Sequence, residues 1–213
     1  MRFFFFLFCL PIFATTVSKA QTIAQIKTEL AASKDPLGYV KFKIKKAYKV
    51  DTVNIESTSS FVNFGDSLAY FGKVGDVYGP FKSKNGQKYL LEILGKASNT
   101  FYHVSHILLD TSTFQRKFVN ALADSIIYKI ESGKSTFEEM AITYSSDNVS
   151  GSKGGELGWF CRGVMLPQLD AAIQMHKKGD VFKVWTQMGL HIVTLKDNPR
   201  KDTGFALMLR VLL

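Results

Sequence analysis

Three side chains in this sequence could do chemistry together: His106, Asp147 and His191. His106 sits in the strand-like segment HVSHILL (103–109), Asp147 in the loop opening YSSDNVSGSKGGELGWF (144–160), and His191 in GLHIVTL (189–195). Two imidazoles and a carboxylate supply donors and acceptors of hydrogen bonds. Apolar Leu157, Phe160, Met165 and Leu169 follow Asp147 closely in the chain. The residue types leave two readings open. The trio is a reactive site beside an apolar patch, or a structural network in which two strand histidines bond each other and fix the sheet.

Other chemistries fail on spacing. SGKST (132–136) echoes a phosphate-binding loop, but that motif needs a glycine at 128, where Tyr128 stands, and Gly133 ends a helix instead of following a strand. HVSH looks like a metal pair, yet strand alternation turns His103 and His106 to opposite faces, and zinc would want further ligands at matching spacing. No metal or other cofactor is expected. Cys161 as a nucleophile would need a base and a lowered pKa; a buried or half-buried strand thiol is the expectation. His176, among lysines at a helix end, is expected at the surface.

The chain has 213 residues and a net charge of +9, enough for one domain and part of another. The charge reads as a solvated basic surface. Nucleic-acid binding is not expected, because no basic run interleaved with aromatics and no zinc-finger spacing is present. The densest basic run, KFKIKKAYK (41–49), alternates with apolar residues and suits an exposed strand. Arg2, the apolar run Phe3 to Phe13, and SKA (18–20) read as a signal peptide cleaved after Ala20. Cys9 would leave with it, and Cys161 alone cannot form an internal disulfide. Export without disulfides points to a bacterial periplasm or envelope, where a membrane-proximal position is compatible with the sequence.

Four segments follow from the pattern: a signal at 1–20, an N-terminal region at 21–99, a module at 100–199 and a tail at 200–213. In the second, Ile23, Ile26 and Leu30 predict a helix ended by KDPLG, and YVKFKIKKAYKVDTVNI predicts one or two strands. DSLAYFGKVGDVYGPF (66–81) resembles DAAIQMHKKGDVFKVW (170–185) in constant register. The stretch around 64–95 therefore reads as a degenerate half-repeat of helix, glycine stop and two strands, with Lys88 where the complete copy has His191.

In the module, FYHVSHILLD is a strand. Phe114, Phe118, Leu122, Ile126 and Ile130 predict a helix, and Ser135 with Glu138 a capping box before a second one. LGWFCR is a short strand, Pro167 opens a third helix that ends near Gly179, and two strands meet around Met188-Gly189. The order of strand, two helices, strand, helix, strand, strand makes an α+β module. The tail RKDTGFALMLRVLL is expected as an edge strand or a helix start.

Residues 100–199 resemble the parvulin-type peptidyl-prolyl cis-trans isomerases through SHILL, GKSTFEEMAITYSSD, GGELGWF, GVMLPQLDAA, KKGDV and TQMGLHIVTL, in the family's order. The resemblance implies a four-stranded sheet with three or four helices. It places the family's two histidines at His106 and His191 and its cysteine-or-acid position at Asp147. Its proline pocket falls on Leu157, Phe160, Met165 and Leu169, with Thr186 and Met188 along the rim. Leu169 stands where the family usually has phenylalanine, which keeps the pocket apolar and changes its shape. The phosphate-directed branch carries a long basic loop after the first strand; here only DTSTF intervenes. The resemblance thus implies a non-covalent, not phospho-specific isomerase acting on unfolded or newly exported proline-containing polypeptides, or a peptide-binding chaperone with weak or no such activity. It says nothing of oligomeric state.

Overall fold

The computed structural model describes residues 21–61, 63–112 and 115–213. The signal segment read in residues 1–20 and Phe114 lie outside them. In chain order the elements are α1 (Ile23–Ala31), α2 (Pro36–Gly38) running into a π-helical turn (Tyr39–Lys43), β1 (Tyr48–Asn54), α3 (Phe64–Phe71), β2 (Val77–Lys82) and β3 (Lys88–Asp110). Then come α4 (Arg116–Glu131), α5 (Phe137–Tyr144), α6 (Asn148–Gly151), β4 (Glu156–Cys161), α7 (Pro167–Ile173), β5 (Val181–Thr186), β6 (Gly189–Leu195) and β7 (Arg200–Leu212).

One antiparallel sheet holds all seven strands, and β3 is its axis. β6 and then β7 run along one edge of β3, pairing with 104–110 and 89–101, while β2 and β4 pair on the other edge with 88–92 and 101–105. The four strands expected of the module are present in the order β4-β3-β6-β5. β3 continues without a break through the 99/100 boundary into the N-terminal region, so both halves share one backbone ladder.

Burial follows strand alternation. On one face of the module, Ile107 and Leu109 of β3 and Leu190 and Ile192 of β6 pack under α4 and α5, against Val119, Ala123, Ile126, Phe137 and Met140. On the other, Val104, Phe160, Phe182, Val193 and Leu195 pack against Leu169 and Ile173 of α7. A side chain on β3 therefore chooses its environment by parity alone. Phe118 of the expected helical stripe is 53 % exposed, because the buried face of α4 is turned to Val119, Ala123 and Ile126. The capping box forms one residue later than expected: Thr136 caps α5 with Glu139, and Ser135 donates to Glu139 at 2.6 Å. α7 ends at Ile173, well before Gly179. His176 is not a plain surface residue; its ring stacks on Phe182 with centroids 3.7 Å apart.

Two expectations outside the module are corrected. The basic run 41–49 is not a strand up to Tyr48. Asp35 caps the Gly38 amide at 2.9 Å with Pro36 at the first helical position, and the turn buries Tyr39 and Val40 against Ile26 and Leu30. Residues 39, 40 and 44 share that side, a helical spacing that outweighs the alternation of lysines. The tail is neither a sheet edge nor a helix. β7 lies between β1 and β3, with Ala206 and Met208 buried on one face and Leu209 and Val211 on the other. An interior strand covered on both sides needs a near-continuous apolar run, which ALMLRVLL supplies.

The segments after α3 and α7 share a local backbone pattern. The Gly75 amide donates to the Ile93 carbonyl at 2.8 Å, and the Gly179 amide donates to the Leu195 carbonyl at 2.9 Å, both glycines having φ near +90°. Val77 pairs with Glu92 as Val181 pairs with Thr194. Counting back along β3 and β6 from these pairs, Tyr89 stands at the position of His191, in place of the Lys88 expected from sequence register.

Candidate active site

His106 reaches the α7 face of the sheet because it shares parity with Val104 and Leu108, and His191 reaches the same face because it pairs with Leu108. Adjacent strands thereby bring the two rings together, with Nδ1 atoms 3.2 Å apart, ring planes at 27° and centroids at 5.4 Å. Both are buried, at 8 % and 3 % exposure.

The loop after α5 delivers the acid. Its backbone is tied to β3 by the Ser146 amide donating to the Leu108 carbonyl at 2.7 Å and the Leu108 amide donating to Ser145 Oγ at 3.2 Å. Asp147 then caps α6, accepting from the Val149 and Ser150 amides at 3.1 and 3.5 Å. Its Oδ2 lies 2.9 Å from His106 Nε2 and accepts from Ser150 Oγ at 2.6 Å. Gly155 closes the loop against the strand, its carbonyl accepting from the His106 amide at 2.9 Å. Its φ is +81°, and a Cβ there would stand 2.3 Å from the His106 carbonyl oxygen. Only glycine combines that dihedral with that approach.

At the far end, His191 Nε2 lies 2.9 Å from Thr186 Oγ1, and that oxygen accepts from the Met188 amide at 3.0 Å. Asp147, His106, His191 and Thr186 thus form one hydrogen-bonded row. The Ser150 hydroxyl, with the His106 contact and the α6 amides, holds Asp147 down to about 2, so it is ionised and accepts only. Burial, with His106 beside it, lowers His191 to about 4, so that ring is neutral at neutral pH. One direction of donation satisfies the row with a single proton on each ring: Thr186 to His191, His191 to His106, and His106 to Asp147.

The apolar residues divide. Leu157, Phe160 and Met165 line one cavity of about 470 Å³. Leu169 lies beneath them, 6 % exposed, in the same cluster as Phe160. Thr186 and Met188 sit at the β5–β6 turn, Met188 with 55 % exposure. Sequence reasoning missed Ser150, although serine three residues after a cap aspartate was a readable signal. It also missed Ile55, Glu56 and Phe61 of the N-terminal region, which line the same cavity; nothing local marks them. Cys161 is buried and its thiol is pushed up by burial, as befits a packing residue.

His103 confirms the parity argument from the opposite face. It bridges Glu156 and Asp197 at 2.8 Å each and stacks on Trp159. Among the described residues, no group of three or more His, Cys, Asp or Glu is placed to hold a metal ion.

Known proteins resemble this chain over the same module. A PPIC-type PPIASE domain matches residues 89–199. Chaperone SurA of Salmonella typhimurium is 33% identical over 137 residues, 61% of this chain and 32% of that protein. Chaperone SurA of Legionella pneumophila is 34% identical over 144 residues, 63% of this chain and 33% of that protein. The chain thus spans about a third of the length of the curated relatives it matches. Among solved structures, the peptidylprolyl isomerase PrsA of Bacillus anthracis is 31% identical, covering 48% of this chain and 43% of that one, with a TM-score of 0.41. With its matched domain spanning β3 to the end of β6 and enclosing the paired histidines, the chain belongs to the PPIC-type, or parvulin-type, peptidyl-prolyl isomerase family.

Proposed function

We propose that this protein is a peptidyl-prolyl cis-trans isomerase acting on X-Pro bonds of unfolded or newly exported polypeptides. The observation that carries this reading is the hydrogen-bonded row Asp147–His106–His191–Thr186, centred on two buried histidines, on the sheet face that also carries Phe160 and packs against Leu169 of α7.

Rotation about an X-Pro bond must overcome a barrier of roughly 18–20 kcal/mol that arises from amide resonance. A site lowers it by favouring the twisted state, whose carbonyl is less polarised, over the planar ground state. In this reading Leu157, Phe160, Met165 and Leu169 receive the prolyl ring and exclude water, whose hydrogen bonds to the carbonyl favour the planar form. Thr186 and Met188 border the peptide at the β5–β6 turn. His106 and His191 set the hydrogen-bonding field under the peptide, and Asp147 orients them. An ionised carboxylate is a poor nucleophile towards an amide, so the reaction is non-covalent and proceeds with these side chains alone. The short connection after β3 carries Asp110, held low by the Ser112 hydroxyl and amide, and a negative charge there disfavours phosphorylated residues before proline.

Exchange NMR on a short unphosphorylated Ala-Pro peptide tests this. Accelerated cis/trans exchange that falls sharply in Asp147→Ala supports the enzyme; no acceleration by the folded protein rejects it. A second reading, a chaperone for extended envelope proteins, is favoured by the half-repeat lobe, where Phe64 and Phe71 are 58 % and 71 % exposed. Aggregation suppression that survives Asp147→Ala would separate the two roles. The exported location proposed here is tested by sequencing the N-terminus of the mature protein, expected at Gln21.

A further inference from the structure

The cavity lined by Leu157, Phe160 and Met165 is not built by the isomerase module alone. Residues 54–61, which precede α3, lie along the free edge of β4. The Cys161 amide donates to the Glu56 carbonyl at 2.8 Å, Ser57 Oγ donates to the Trp159 carbonyl at 2.7 Å, and the Trp159 amide donates to Ser59 Oγ at 2.8 Å. This segment forms the side of the cavity whose other wall is Leu157, Phe160 and Met165, and the volume of about 470 Å³ exceeds what a prolyl ring alone would fill.

Its lining combines an apolar floor with two carboxylates. Ile55, 1 % exposed, continues the floor of Leu157 and Phe160, while Glu56 and Asp66 stand at the margin. Glu56 is exposed, and among the described residues no Lys, Arg or His lies within ion-pair distance of either acid. One oxygen of Asp66 accepts from Asn63 Nδ2 at 2.9 Å. Arg200, which reaches Thr58 of the same segment, is engaged elsewhere: it lies 3.0 Å from Thr58 Oγ1, 3.6 Å from Asp202 and over the Trp159 ring. In a chain of net charge +9, an acid-rimmed cavity without a resident cation is a local reversal of sign.

We propose that this cavity is a specificity subsite for a lysine or arginine side chain of the substrate, close in sequence to the proline being isomerised. The inference rests on the isomerase reading above. A long cationic side chain lays its methylenes on apolar surface and keeps its charge at the polar edge. Ile55 and Leu157 supply that surface, and Glu56 and Asp66 meet the charge. The N-terminal region then has a role in selecting which prolines are served, in keeping with its sharing a sheet and a cavity wall with the module.

The test is a scan of proline peptides, alanine elsewhere, in which a single lysine, norleucine or glutamate is placed at each position flanking the proline. Exchange NMR gives kcat/KM, and amide shifts of Ser57, Ser60 and Asn63 report binding independently of turnover. At one position lysine is expected to exceed norleucine by about fivefold, an advantage that salt screens and that glutamate reverses. Glu56→Gln, which touches no side-chain hydrogen bond, and the pair Glu56→Gln with Asp66→Asn should bring the lysine-to-norleucine ratio, read within each variant, to one. Lysine and norleucine equal at every position, with Ala-Pro still isomerised, overturns the subsite and leaves an apolar cavity only. If no peptide is isomerised, the isomerase reading fails, and the amide shifts still decide: lysine-specific shifts lost in Glu56→Gln uphold a cation-binding cleft, and shifts equal for norleucine reject it.

Discussion

His106 and His191 face each other through like atoms, Nδ1 to Nδ1 at 3.2 Å, and each turns its Nε2 outward to an oxygen partner, Asp147 for one and Thr186 for the other. The row has its anionic end at Asp147, where a carboxylate accepts from both Ser150 and His106. Perturbing either end should therefore be felt at the histidines.

Ser150 is the residue that sets the acid end. Its hydroxyl is the largest cause of the depressed Asp147 pKa, held at about 2 against 3.8. Ser150→Ala should let Asp147 rise towards its ordinary value and lower kcat/KM by about tenfold, by loosening the orientation of the acid. Asp147 has a lowered folded pKa, so its stabilisation of about 2 kcal/mol is present above pH 4 and lost as pH falls towards 2. Acid unfolding of the wild type and of Ser150→Ala between pH 5 and pH 2 should show a shallower loss in the variant.

His191 contributes with the same sign in a higher window. Burial lowers it from 6.5 to about 4. The unfolded chain takes up a proton in that interval and the folded chain does not, so stability falls as pH drops from 6.5 to 4, by about 3 kcal/mol in all. Urea midpoints measured across this interval should fall in the wild type and stay flatter in His191→Gln.

Glu92 acts in the opposite direction. It lies in β3 at 2 % exposure with Oε2 unpartnered, and burial raises it to about 7. A carboxyl raised in the folded state holds its proton where the unfolded chain has lost it, so stability falls as pH rises from 4.5 to 7. Glu92→Met should raise stability at pH 8 by about 2–3 kcal/mol and abolish that slope, read by thermal melting at pH 5 and pH 8.

Gly155 tests the docking of the acid loop. Gly155→Ala should cost about 2–4 kcal/mol, since the new Cβ meets the His106 carbonyl and the φ of +81° is strained for alanine. Gly133→Ala is the control: its φ is +67° but nothing lies within 4 Å, so the dihedral alone should cost about 1 kcal/mol. Denaturant unfolding of both variants separates the two contributions.

Periodicity and residue type alone were enough to establish most of the module's element order and the facing of β3, because parity on a strand and turns of a helix are local rules. The alternation of His103 and His106 assigned each ring its face before any fold was drawn. Residue types grouped Asp147 with the two histidines, and resemblance, not spacing, favoured a reactive site over a structural network. What only the tertiary structure decided depends on partners distant in sequence. Whether 200–213 is an edge or an interior strand turns on β1 and β3 lying to either side of it. The basic run 41–49 follows the burial of Tyr39 and Val40 under α1, which no alternation of lysines reveals. Glu56 and Ile55 reach the cavity only because residues 54–61 lie against β4, about a hundred residues later in the chain. Contacts of that separation are chosen by the packing of the whole sheet, and the segments that make them carry no local mark of it.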